Sequence, residues 1–171
     1  TMTQIASSET VATELDGFMQ EVAGKVYRIF REGGTYRVQD RPADGASSSW
    51  GESRQIVMLT GSHNLQMFWL ETDEGRSLEP FPFAYNILED RWAPAHDTFL
   101  LPPDFADQVG HHSTVGEWNQ AGMDCHTTVA QPRFEDGYTF DSHVVEFGIS
   151  CEACHSNGAE HIEANRNPLR R

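Results

Sequence analysis

The chain has 171 residues, 38% hydrophobic and 11% aromatic, which suits one domain or one and a half with enough apolar side chains to fold. Its 26 Asp and Glu against 12 Lys and Arg give a net charge of −14, which disfavours nucleic acid and anionic membrane surfaces and favours a basic protein partner. No apolar run approaches the length of a transmembrane helix, and three cysteines are an unpromising number for a disulfide scaffold.

The sequence begins at Thr1 rather than Met, so a mature or cut form is expected, its signal peptide already removed. Residues 1 to 10 read as a disordered start. In TELDGFMQEVAG, Leu15, Phe18, Met19 and Val22 stand at i, i+3, i+4 and i+7. That is the pattern of a short amphipathic helix, in competition with a strand running on into the next segment. KVYRIFREGGTYRVQD predicts a hairpin around Gly33-Gly34, and RPADGASSSWGES a polar loop. RQIVMLTG and LQMFWLET read as strands, with DEGRS as a turn to LEPFPFAYNIL. Residues 1–110 are therefore expected to be a β-rich scaffold with aromatic hairpins.

The sharpest motif lies further on. SCEACHSNGAEHI, residues 150–162, contains Cys151-x-x-Cys154-His155. Three chemistries use such spacing: a redox dithiol, half of a zinc site, and covalent haem attachment. The dithiol wants a preceding strand, which VVEFGIS supplies, but it leaves His155 without a role and the expected alternation of strands and helices is missing. Zinc would recruit Cys125, His126 or His161 to complete four ligands, across a spacing unusual for zinc fingers. In the haem reading the two thiols add across the vinyl groups and His155 is the proximal iron ligand.

Upstream, GEWNQAGMDCHTT, residues 116–128, carries Cys125-His126 with Gly122 where a first cysteine would stand. It has the form of a second attachment motif lacking one thiol. Either a haem hangs there on a single thioether at Cys125 with His126 as axial ligand, or the site is empty and Cys125 is a buried free thiol.

WNQ…CHTT followed by VVEFGISCEACHSNGAEH resembles the multihaem c-type cytochromes of bacterial periplasms. The likeness spans residues 116–165, under a third of the chain. It is specific through 146–161 and departs at Gly122 and at Ser156-Asn157. LTGSHNLQMFWL also resembles a segment that precedes the first motif in some of those proteins. The resemblance implies haem c, electron transfer, and a role for His161 as ligand to a neighbouring haem. Redox proteins, other haem modules or copies of the chain itself are the expected partners, in a periplasmic or extracellular location.

Low-spin haems usually take two axial ligands, and the chain has eight histidines. His161 is six residues past His155, about 600° around a helix, so the two cannot readily clamp one iron. His63 sits in a turn at a strand end, where rigid strands can hold a distal ligand, or where a loop histidine simply bonds backbone groups. His111 or His112 is a further distal candidate, His143 reads as structural and His96 as a surface residue. Phe68, Trp69, Phe81, Phe83, Tyr85 and Trp92 serve equally as core or as walls of a haem edge.

No Gly-rich phosphate loop, H-E-x-x-H or nucleophile elbow occurs. The expectation is thus an α+β chain: the β-rich 1–110, which includes the candidate distal-ligand loop, and a haem-attachment region, 111–171, of short helices and loops packed around covalent haem. Cys151, Cys154 and Cys125 are the candidate attachment residues, and His155, His126, His161 and His63 the candidate iron ligands. An electron carrier with one to two bis-His haems is favoured over a haem enzyme or small-ligand sensor with an open iron, and over a zinc-binding structural domain.

Overall fold

A computed structural model describes residues 2–98, 116, 118–136, 139–153 and 158–166. Eight strands of the N-terminal part form one antiparallel sheet: β1 (Thr3–Ile5), β2 (Met19–Val22), β3 (Lys25–Glu32), β4 (Thr35–Pro42), β5 (Arg54–Thr60), β6 (Leu65–Glu71), β7 (Leu78–Asn86) and β8 (Arg91–Pro94). The order β2-β3-β4-β5-β6-β7-β8 is a meander, β1 lies beside β5, and the sheet is nearly closed into a barrel.

Turn chemistry sets this path. The β3–β4 loop is Gly33-Gly34, with φ of 58° and 89°, between the paired residues Glu32 and Thr35. The β2–β3 loop is Ala23-Gly24, with φ of 50° and 73°, between Val22 and Lys25. Two-residue loops with both central residues at positive φ match the right-handed twist of the strands they join.

Of the two competing readings of residues 13–24, the helix is absent and the strand is present as β2. Leu15 and Phe18 turn into the core from the segment before β2, but Met19 is 58% exposed. Its strand pairs residue by residue with β3, so tertiary pairing overrides the helical period. The chain start is also ordered: β1 pairs with the end of β5, and Thr3 is buried.

The barrel interior holds Ile29, Val38, Ile56, Leu59, Phe68, Leu70, Phe81 and Phe83, with Leu15, Phe18, Tyr36 and Tyr85. Burying each such side chain contributes about 1.5–3 kcal/mol. Phe18, just before the first strand of the meander, packs on Trp92 of the last one at 4.5 Å between ring centroids. It also meets Phe81 at 5.6 Å and Phe83 at 5.2 Å, so edge-on aromatic contacts draw the two ends of the sheet together. Of the six clustered aromatics, five belong to this core or pack on it, and Trp69 alone belongs to a second cluster.

Register shifts between Ile56 and Met58 and between Met67 and Trp69 mark irregularities whose extra residues lie in β5 and β7. The next pair, Met58 opposite Trp69, joins Trp118 and Met123 in that second cluster, while Leu59 opposite Phe68 stays in the barrel core. The sheet is therefore covered on both sides here. The cover is the C-terminal part: a π-helical turn Trp118–Gly122 runs into α2 (Met123–His126), β9 (Thr127–Gln131), β10 (Phe134–Asp136), β11 (Thr139–Phe140) and β12 (His143–Phe147). A 3-10 turn, Cys151–Ala153, and α3 (Ala159–Asn165) follow; the short α1 (Ala95–Thr98) ends β8.

The α+β expectation, with a C-terminal part of helices and loops around haem, is overturned. The described residues are mostly β, 47% strand against 16% helix. After α2 the C-terminal part is built of two antiparallel pairs, β9 with β12 and β10 with β11. The runs Thr127-Thr128-Val129 and Val144-Val145 are β-branched, which favours the pleated conformation over a helix. Among the described residues no helix is long and apolar enough to cross a membrane.

Candidate functional site

The segment 116–128 is fixed to the sheet before it reaches its thiol. Gly116 donates its N–H to the carbonyl of Leu78 at 2.8 Å. Asn119 is fully buried; its Oδ1 accepts from the Leu78 N–H at 2.9 Å, and its Nδ2 donates to the Arg76 carbonyl at 3.0 Å and to Ser142 Oγ at 2.8 Å. The amide thus satisfies backbone groups of the β7 start and reaches the β11–β12 connection. Trp118 and Met123 flank it and fill the second cluster.

Gly122 has helical geometry, φ −64° and ψ −37°. A Cβ placed there would lie 2.7 Å from Cδ1 of Trp118. The indole, 4% exposed, fills the space that the side chain of a first cysteine would need. The departure from the attachment pattern at Gly122 is therefore matched by a packed tryptophan.

The β9–β12 ladder then brings Cys125-His126 and the segment leading to Cys151 to one end of a strand pair. Thr127 pairs with Phe147 and Gln131 with His143. Cys125-His126 stands immediately before one end of this ladder, and Gly148 to Cys151 immediately after the same end. Side-chain and backbone bonds close the corner. The Gly148 N–H donates to the His126 carbonyl at 3.0 Å. Thr128 Oγ1 donates to the Gly148 carbonyl at 3.0 Å and accepts from the Ser150 N–H at 2.9 Å. Thr3 Oγ1, from β1, donates to the same His126 carbonyl at 3.0 Å.

Cys125 and Cys151 are both free and exposed, so the alternative of a buried thiol at Cys125 fails. His126 is half-buried, and its Nδ1 is buried without a hydrogen-bond partner. Around the ladder Val129, Val145 and Ile149 are 51%, 75% and 52% exposed. Val129 also holds φ at 54°, a left-handed conformation that β-branched residues rarely adopt. Between Cys151 and Cys154, Glu152 has its pKa lowered, first by the Ser150 hydroxyl, which donates to its Oε2 at 2.8 Å, and then by a backbone N–H.

His63 is exposed in the β5–β6 turn, with Nδ1 and Ser62 Oγ sharing a hydrogen bond at 2.9 Å. The turn opens at Gly61, φ 96°, where a Cβ would stand 1.9 Å from the Leu65 carbonyl oxygen, so only glycine fits. That turn lies next to β1: Thr60 pairs with Thr3, whose hydroxyl holds the His126 carbonyl. His161 is exposed on α3. Among the described residues no three His, Cys, Asp or Glu side chains form a group able to hold a metal ion. Cys154, His155, His111 and His112 lie outside the described residues. His143 is in β12, 3.3 Å from Arg76 and 3.7 Å from Asp141, and His96 is exposed beside Asp97.

Sequence reasoning missed Thr3, Asn119 and Thr128, whose side chains fasten the motifs to each other and to the sheet. The polar Asn119 directly after Trp118 was the available signal. Comparison with protein-family models, with curated proteins and with solved structures returns no match.

Proposed function

We propose that the chain is an electron-transfer c-type cytochrome, or a module of a multihaem assembly, carrying one to two covalent haems with bis-His iron. The observation that carries this reading is the β9–β12 ladder, which sets Cys125-His126 and Cys151 at one end with both thiols exposed. The residues fit the group: two free thiols open to solvent, an imidazole with an unpartnered nitrogen, and exposed Val129, Val145 and Ile149 beside them. Cys151, Cys154 and His155 would hold one haem. Cys125, through a single thioether, and His126 would hold the other. His63 and His161 are the candidate second ligands.

A bound haem supplies one-electron chemistry at its iron. The chain's own residues do the rest. The thiols anchor, and the clasp of Thr3 and Gly148 on the His126 carbonyl fixes the backbone from which the imidazole projects. The valines and Ile149 offer apolar surface that excludes water from a macrocycle laid on them. The net charge of −14 steers basic redox proteins toward the molecule. Thioether formation needs reduced thiols and haem outside the cytoplasm, consistent with a periplasmic or extracellular protein.

Expression in a host that matures cytochromes c tests the reading. The expected product is red, with haem that acid-acetone does not extract and an intact mass of the chain plus two haems. Cys125→Ser should free one haem into organic solvent, and Cys151→Ser should loosen only the other. The reduced protein should not take up carbon monoxide readily; rapid adduct formation at every haem would move the open-iron enzyme ahead. A colourless, haem-free product would end the proposal. One haem together with an alkylatable Cys125 would leave a monohaem cytochrome.

A further inference from the structure

The face of α2 opposite Cys125 borders a groove that the haem reading does not use. Met123 is fully buried and Cys125 is exposed; two residues apart on a helix, they project about 200° from one another. Under Met123 a groove of about 210 Å³ runs between the outer face of the sheet at Met58 and the wall made by Val144 and Phe147, with Trp118 alongside. An apolar cavity of about 150 Å³ is enough to admit benzene. Met58, Trp118 and Met123 are buried in its floor, and the part-exposed Val57, Leu78 and Val144 and the ring of Phe147 offer the apolar surface that an aromatic occupant would meet.

One end of the groove is cationic, on a chain that is otherwise strongly acidic. Arg76 lines it, with Ser142 and Asn119. The Arg76 guanidinium lies 3.4 Å from Asp141 Oδ1, donates to the Ser142 carbonyl at 3.3 Å and stands 3.3 Å from His143 Nε2. Arg133 reaches Asp141 Oδ2 at 3.4 Å, and His143 approaches Oδ1 at 3.7 Å. Two guanidiniums and an imidazole therefore share the carboxylate of Asp141. All three separations exceed the 2.7–2.9 Å or so of a tight charge-assisted bond. A guanidinium has five N–H donors, which is capacity for a second carboxylate.

We propose that this groove binds a small aromatic carboxylate of about the size of phenylacetate, its ring against the part-exposed Val57, Val144 and Phe147 and its carboxylate on Arg76. The guanidinium selects an anion over a neutral or cationic ring. The site is separate from the thiols, so occupancy does not depend on haem at Cys125.

Ligand-observed NMR and thermal unfolding of the full chain, with phenylacetate as probe, test the proposal. Expected is saturable binding with a dissociation constant of about 1 mM or tighter, and a melting temperature that rises with ligand concentration. Phenylacetamide should bind at least tenfold more weakly. Arg76→Gln, a change at an exposed head group, should lower phenylacetate affinity at least tenfold without altering the unliganded melting temperature. Val144→Phe should fill the groove and abolish binding with Arg76 intact. Cys125→Ser, with or without loss of haem, should bind as the wild type does. Absence of saturable binding, equal affinity for the amide, or undiminished binding by Arg76→Gln would each overturn the assignment.

Discussion

Replacing Gly122 by alanine sets two physical effects of opposite sign against each other. Gly122 stands in helical backbone with φ −64°, so alanine there should stabilise by about 0.5–1 kcal/mol through reduced chain entropy. The added Cβ, however, would meet Trp118 Cδ1 at 2.7 Å, well inside van der Waals contact. Cδ1 is close to the base of the indole, so a change of the outer torsion alone does not clear it. The indole itself is packed with Met58, Trp69 and Met123, and forcing a packed side chain to move costs about 1–3 kcal/mol. The net expectation is a destabilisation of about 1–2 kcal/mol, a fall of about 2–8 °C in melting temperature for a domain of this length. Thermal unfolding followed by circular dichroism reads it directly. In a Trp118→Phe background the smaller ring gives way, and Gly122→Ala should become neutral or stabilising, a coupling of about 1 kcal/mol or more in the double-mutant cycle. On the proposed haem at Cys125, the same contact predicts that Gly122→Cys alone does not install a second thioether: haem mass and spectrum should stay as in the wild type until Trp118 is trimmed. A higher melting temperature for Gly122→Ala in the wild-type background would refute the packing argument.

Three further outcomes follow from the geometry. Val129→Gly should stabilise the chain by about 1 kcal/mol in urea unfolding, since φ of 54° costs a β-branched residue about 1–2 kcal/mol and the exposed side chain buries little. Asn119→Ala should cost about 3 kcal/mol in the same measurement, because three hydrogen bonds go and the Leu78 N–H loses the partner supplied by Oδ1. The alkaline limb of stability should be steep. The Lys25 pKa is raised, chiefly by its hydrogen bond to Asp40, and the Tyr27 pKa is raised by burial. Both groups hold their protons more tightly when folded, so this stability is fully present below their ordinary values of about 10–10.5 and is lost as pH rises through the folded values. Lys25→Met with Tyr27→Phe should flatten the fall of melting temperature above about pH 9.

Much of the barrel is legible because its signals are local. Gly33-Gly34 between two β-rich runs can do little but turn a hairpin, and RQIVMLTG and LQMFWLET become β5 and β6. The failures have local causes as well. Ala23-Gly24 forms the same kind of two-residue turn as the glycine pair, but alanine at φ 50° is not a residue that announces one. Without that turn, the apolar spacing of Leu15, Phe18, Met19 and Val22 reads as a helix. The buried faces of β9 are Thr127 and Thr128, held by hydroxyl bonds rather than by apolar packing, so hydropathy gives the strand no voice.

The candidate site divides along the same line. Cys125-His126 and Cys151-x-x-Cys154-His155 are contiguous motifs, visible in any reading of the sequence. What joins them is not contiguous. The corner depends on the register of β9 against β12, on Thr128 reaching Gly148 and Ser150, and on Thr3 reaching His126 from the opposite end of the chain. Gly122 makes the consequence concrete. In the linear sequence it is a glycine where the attachment pattern would have a thiol, with nothing nearby to explain it. In the fold, Trp118 lies against it one helical turn earlier, buried in a cluster with Met58 and Trp69 where the registers of β5 with β6 and of β6 with β7 shift. A glycine and a tryptophan four residues apart then act as one unit. Whether position 122 can take a side chain is decided by the indole, not by the glycine.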